Sequence, residues 1–128
     1  MYTYVIIDDE PLIRRGTKKK LEPLSHLLTC CGEASDGREG LELVRQLKPD
    51  IVILDMQMPV MDGREASRTI RAMDRPDARS LLIFGLSADA FVEDERLSLE
   101  SGMNGHYAKP VDYEALRENV GRFLREKA

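Results

Sequence analysis

Three uninterrupted apolar runs constrain this chain more than any other feature: Tyr4-Val5-Ile6-Ile7, Ile51-Val52-Ile53-Leu54 and Leu81-Leu82-Ile83-Phe84-Gly85-Leu86. Continuous apolar character, in place of alternation, marks strands covered on both faces, as the central strands of a parallel sheet are. Each run ends in polar residues: Asp8-Asp9-Glu10 after the first, Asp55 after the second, Ser87 after the third. Open parallel sheets bind ligands beyond the carboxyl ends of their strands, which makes these residues candidate site positions. An aspartate at a strand end also caps turns, and Pro59 with Asp62-Gly63 bends the chain soon after Asp55. Taken alone, Asp55 fits either role.

The intervening stretches carry helical spacing. Pro11 suits the first turn of a helix reaching about Leu21, with Leu12, Ile13, Gly16, Lys20 and Leu21 on a mixed amphipathic side facing a sheet and Pro23 closing it. Leu27 to Ala34 reads as an edge strand. Ser35-Asp36-Gly37 then opens a helix over 37–48 whose Leu41, Val44 and Leu47 share a face, and Pro49 stops it. A third helix runs from Arg64 to Met73, followed by a polar loop at Asp74-Arg75-Pro76-Asp77. A fourth covers 90–101, closed by Ser101-Gly102, and a short strand His106-Tyr107-Ala108 leads into Lys109-Pro110. The fifth helix starts at Asp112 as N-cap and carries Tyr113, Leu116, Val120, Phe123 and Leu124 on one stripe. Five strand-helix units in succession predict an α/β fold, a (βα)5 doubly wound parallel sheet with right-handed crossovers and helices on both faces.

Composition narrows the partners. The chain has 128 residues, 42% of them hydrophobic, enough for one domain with a real core, and no linker, repeat or low-complexity tract divides it. With 23 acidic and 19 basic side chains the net charge is -4, and no basic cluster is dense enough to make nucleic acid a direct partner. Arg14, Arg15 and Lys18-Lys19-Lys20 read as the solvated face of a helix. No apolar segment approaches the roughly 20 residues that span a bilayer, and the N-terminus enters a strand without a signal-peptide layout. The expectation is a cytoplasmic protein that does not engage the membrane. Cys30 and Cys31 are neighbours in a strand and point to opposite faces, so they read as two reduced thiols acting as small hydrophobes.

If the strands order 2-1-3-4-5, the ends of the first, third, fourth and fifth lie side by side and bring Asp8, Asp9, Asp55, Ser87 and Lys109 to one crevice. Clustered carboxylates repel unless a cation joins them, and hard oxygen donors favour Mg2+. A carboxylate beside such an ion can attack phosphorus and form an aspartyl phosphate. The Lys109 ammonium would neutralise charge on the transferred oxygens, and Ser87 would donate a hydrogen bond to the product.

Asp8-Asp9, Leu54-Asp55 with Met58-Pro59 and Met61-Asp62-Gly63, Leu86-Ser87-Ala88 and Lys109-Pro110 together resemble the signature of the response-regulator receiver domain of two-component signalling, over residues 3–126. Residues 1–63 resemble receivers fused to helix-turn-helix transcription regulators, and the stretch from Ala66 to His106 resembles receivers of hybrid histidine kinases. The resemblance implies a flavodoxin-like fold of strand order 2-1-3-4-5. The chain ends with the fifth helix, so a single receiver domain over 1–128 without an effector domain is expected. By the same resemblance Asp55 is the phosphoacceptor, charged by phosphohistidine on a histidine kinase or a histidine phosphotransfer protein. Asp9, Asp55 and the backbone carbonyl of Gln57 would bind Mg2+, Asp8 would act through a metal-bound water, and Ser87 and Lys109 would contact the phosphoryl group. The output would be a changed surface on the fourth helix, fifth strand and fifth helix, where family members dock or form homodimers. Such a protein is no enzyme beyond self-catalysed phosphoryl transfer and autodephosphorylation.

The departures from the family pattern are local. The family often has Tyr or Phe three residues before the lysine, a ring that swings inward when the hydroxyl moves. Here that position is His106, either the switch partner of Ser87 or simply a partly exposed histidine on a short strand. Tyr107 should point to the opposite face. Gly85 stands where a larger residue is common and is expected to leave the fourth strand loose. Gln57 and Asp89 occupy positions that in the family flank the approach of water to the phosphoryl group, which implies that they tune its lifetime. Two other readings remain. A Mg2+-dependent aspartyl-phosphate phosphohydrolase carries a second acid two residues after its nucleophile, where this chain has Gln57. A phosphorylation-independent interaction module has typically lost an acid or the lysine, and none is lost here.

Overall fold

The apolar runs pair in parallel. The computed structural model describes residues 2–56, 63–73, 81–87, 102–108 and 112–127. Along the chain come β1 (Tyr2–Ile7), α1 (Pro11–Leu21), a 3-10 turn (Glu22–Leu24), β2 (Leu28–Ala34), α2 (Gly37–Leu47), β3 (Ile51–Asp55), α3 (Gly63–Arg71), β4 (Leu82–Ser87), β5 (Gly105–Ala108) and α4 (Tyr113–Lys127). The strands form one five-stranded parallel sheet of order β2-β1-β3-β4-β5, the flavodoxin-like arrangement. The helix expected over 90–101 and the loop at 74–77 lie outside the described residues, so α4 here is the C-terminal helix.

Because successive strand residues face opposite sides, the continuous runs split into two cores. Val5, Ile7, Val52, Leu54 and Ile83 pack with Leu41 and Val44 of α2 and Ala66 and Ile70 of α3. Tyr4, Ile6, Ile51, Ile53, Phe84 and Leu86 pack with Leu21 of α1 and Leu116, Val120 and Leu124 of α4. Cys31 joins the first cluster and Cys30 the second, both as free thiols, which is the opposed placement expected of neighbours in a strand. Burial pushes the Cys30 thiol up from its ordinary range.

Local chemistry sets the helix ends. The Asp36 carboxylate accepts the Glu39 backbone N–H at 2.8 Å and opens α2; Asp112 does the same for α4 with the Ala115 N–H at 3.1 Å. Lys48, in the left-handed region at φ 48°, turns the chain out of α2 before Pro49.

Three expectations are corrected. Leu12 is 74% exposed, and the inner side of α1 is made by Ile13, Thr17 and Leu21. Ile13, Thr17 and Leu21 follow at four-residue spacing on the face turned to the sheet, and Leu12 stands about 100° round the helix from Ile13. Leu47 is 42% exposed at the last turn of α2, with its Cδ1 lying towards Gly32 of the border strand β2. Gly85 does not leave β4 loose: a Cβ there would stand 2.6 Å from Met103 Sδ and 3.0 Å from Met56 Sδ, so the two thioethers already fill the space.

At the amino edge of the sheet Arg71 braces three segments. Its Nε donates to the Gly102 carbonyl, Nη1 to the Leu81 carbonyl and Nη2 to Asn104 Oδ1, which also accepts the Ile83 N–H. Among the described residues no helix is long and apolar enough to cross a membrane.

Candidate functional site

Register places the strand ends at one edge. Ile7 pairs with Leu54, Asp55 with Leu86, and Ser87 with Ala108, so Asp8, Asp55, Ser87 and the residue preceding Lys109 fall on neighbouring strands at the carboxyl edge. Asp8 and Asp55 are buried, while Asp9 and Glu10 are exposed. One carboxylate oxygen from each of Asp8, Asp9, Glu10 and Asp55 lies within 4.8 Å of the others. Two ionised carboxylates about 5 Å apart at an effective dielectric constant near 20 repel by roughly 3 kcal/mol, and the repulsion counts most for the water-poor Asp8–Asp55 pair. An all-oxygen anionic set of this kind suits a hard divalent cation.

Asp8 is held through its N–H, one carboxylate oxygen and its carbonyl. Its N–H donates to the Ala34 carbonyl at 3.0 Å, its Oδ1 accepts the Glu10 N–H at 2.9 Å, and its carbonyl accepts from Arg14 Nη1 at 2.6 Å. Arg14 Nε in turn meets Glu33 Oε1 at 3.3 Å, and Lys18 Nζ meets Glu33 Oε2 at 2.7 Å. The Lys18 hydrogen bond is the main reason the Glu33 carboxyl lies below its usual range. Asp55 is backed differently. Gly63 donates its N–H to the Met56 carbonyl at 3.0 Å, and a Cβ on Gly63 would stand 2.5 Å from the Asp55 carbonyl oxygen and 2.7 Å from Met56 Cα. The first residue of α3 thus lies against the backbone of the β3 carboxyl end, an approach only glycine permits.

The expected site residues separate into those described and those not. Asp8, Asp9 and Asp55 converge; Ser87 ends β4 in backbone register; Gln57, Lys109 and Asp89 lie outside the described residues. His106 is half-buried and pairs with Gly85. Tyr107 takes the other face, its ring 6.2 Å from that of Phe84 and its hydroxyl accepting Asn119 Nδ2 at 2.7 Å. Sequence reasoning assigned Arg14 to a solvated face, yet its side chain is only 20% exposed. The signal available was its place one turn after Glu10, on the helix that leaves the acidic strand end. Glu10, in sequence simply the third acid of the first run, joins Asp8, Asp9 and Asp55 in the cluster.

This acidic carboxyl edge on a five-stranded parallel sheet matches a known family along most of the chain. Residues 4–121 fit the response regulator receiver domain, and the chain belongs to that family. It is 33% identical over 114 residues to the nitrate/nitrite response regulator protein NarL of Escherichia coli (strain K12), covering 89% of this chain and 50% of NarL. It is also 33% identical over 116 residues to the sensor histidine kinase RcsC of Salmonella typhi, covering 91% of this chain and 12% of RcsC. A response regulator and a sensor histidine kinase are thus both among its relatives, each aligned over about nine-tenths of the chain, which itself spans half of one and a small part of the other. Among solved structures, the signal receiver domain of the response regulator NarL from Mycobacterium tuberculosis superposes with a TM-score of 0.84 at 29% identity, covering 97% of this chain and 96% of that one.

Proposed function

We propose that the chain is a phosphoacceptor switch of a two-component phosphorelay, in which Asp55 takes a phosphoryl group from phosphohistidine on a histidine kinase or a histidine phosphotransfer protein. The observation that carries this reading is the buried Asp55 carboxylate at the end of β3, gathered with Asp8 and Asp9 at one strand edge. A carboxylate oxygen of Asp55 attacks phosphorus, the O–P bond forms as the P–N bond breaks, and the imidazole leaves with a proton in place of phosphorus. Asp8, Asp9, Asp55 and the Gln57 carbonyl would hold Mg2+, and the carboxylate cluster fits an ion of that hardness. When bound, Mg2+ supplies charge neutralisation at the transferred oxygens.

Lys109 adds a fixed positive charge to the phosphoryl oxygens, and Ser87 donates a hydrogen bond to one of them once transfer is complete. The added phosphate carries roughly -1.5 to -2 charges, which pulls the β4 end inward and passes the change to His106 on β5 and to the surface made by the 90–101 segment, β5 and α4. That surface docks a partner or a second copy of the chain. In this reading the domain works in the cytoplasm, makes no direct contact with DNA itself and does not turn over an external substrate.

Incubation with Mg2+ and acetyl phosphate, followed by intact-mass measurement, tests the assignment. The wild-type chain gains one phosphoryl group, removal of Mg2+ by a chelator stops the gain, and Asp55→Asn gains none while melting at a similar temperature. Labelling of Asp55→Asn to the wild-type level would overturn the reading.

A further inference from the structure

The acidic edge is held from behind by a residue that touches neither the cluster's carboxylates nor any reacting atom. Arg14 Nη1 donates to the Asp8 carbonyl at 2.6 Å, while its Nε rests on Glu33 Oε1 at 3.3 Å. Glu33 is fixed in turn by Lys18 at 2.7 Å and belongs to β2, where the next residue, Ala34, receives the Asp8 N–H. One guanidinium therefore joins the start of α1, the end of β2 and the main chain of the first acidic residue. A planar fork with several donors in fixed directions can serve two acceptors at once; an ammonium on a flexible stem does so poorly.

We infer that Arg14 is a positioning residue for the metal site: it fixes the Asp8 backbone so that the Asp8 and Asp9 carboxylates are presented to a divalent cation. The inference rests on the reading of the acidic cluster as a Mg2+ site.

Charge and geometry predict opposite signs, which lets the two be told apart. As a mere positive charge near the cluster, Arg14 repels Mg2+, so removing it should tighten binding. As a clamp it lowers the cost of ordering the ligands, so removing it should weaken binding. Two facts favour the clamp. The guanidinium is paired with Glu33, outside the cluster, and its short contact is to a backbone carbonyl, not to a carboxylate of the cluster. Loss of groups that orient metal ligands typically lowers metal affinity by about 10- to 100-fold.

The test is a MgCl2 titration of the metal-free protein followed by backbone amide NMR shifts, with thermal melting recorded for each variant. Wild type, Arg14→Ala, Arg14→Gln and Arg14→Lys are compared. The expected result is an affinity about tenfold weaker in all three variants, Lys included, together with faster hydrogen exchange at the Glu10 amide before metal is added. Gln keeps part of the side-chain stem, so it remains informative if the alanine variant melts too low. Unchanged or tighter Mg2+ binding in the folded variants, or full recovery in Arg14→Lys, overturns the clamp while leaving the metal site standing. A wild-type protein that takes up no Mg2+ overturns the site reading itself, and the clamp with it.

Discussion

Two glycines beside the site show how neighbouring positions of one residue type can be under different pressures. Gly63 faces backbone: a methyl group there would meet the Asp55 carbonyl oxygen at 2.5 Å and Met56 Cα at 2.7 Å, neither of which can move without shifting the β3 end. Gly85 faces two thioethers, and methionine adapts by rotating about its flexible torsions. Overpacking a tight site commonly costs about 1–3 kcal/mol. Gly63→Ala is therefore expected to lose stability in that range and to take up phosphoryl groups more slowly, because Asp55 is displaced. Gly85→Ala is expected to lose less stability than Gly63→Ala and to keep its phosphorylation rate. Urea unfolding with an acetyl phosphate time course measures both. Equal losses in the two variants would contradict the distinction between rigid and adaptable neighbours. Asp62-Gly63 was legible in sequence as a bend after Asp55; the close approach was not, because a space requirement leaves no mark beyond the glycine itself.

At the scale of elements, what could be read depended on whether the signal was local. The strands were legible because burial on both faces demands an unbroken apolar run, and the N-caps because Asp36 and Asp112 act on residues three positions away. Asp36→Ala should destabilise α2 by about 1 kcal/mol, measured as a lower urea midpoint with an unchanged slope; no change in midpoint would mean the cap contributes nothing. The assignments that failed lie at helix ends. Leu12 and Leu47 fit a helical apolar spacing yet are exposed, and spacing alone does not show which side of the stripe, or which of its turns, the sheet covers. Arg71 was beyond reach for a related reason. It spends its donors on carbonyls and a side chain of other segments, and a carbonyl acceptor has no sequence signature.

The whole molecule is a two-sided sheet whose carboxyl edge gathers acids and whose opposite end is braced by Arg71. The succession of runs calls for a parallel α/β sheet, while the order 2-1-3-4-5 is what the family resemblance implies; that order sets the first and third strand ends side by side and so brings Asp8, Asp9 and Asp55 together. The division of β5 into His106 on one face and Tyr107 on the other was equally legible from alternation, and Tyr107 is committed to α4 through Asn119. The central claim is that the gathered acids include one nucleophile, Asp55, and it can be tested at single-residue resolution. The protein is incubated with acetyl phosphate and Mg2+, then treated with borohydride, which reduces an aspartyl phosphate to homoserine, and peptides are sequenced by mass spectrometry. The account predicts homoserine at position 55 and at no other aspartate. Homoserine at Asp8 or Asp9, or none anywhere in a folded and Mg2+-loaded protein, would contradict it.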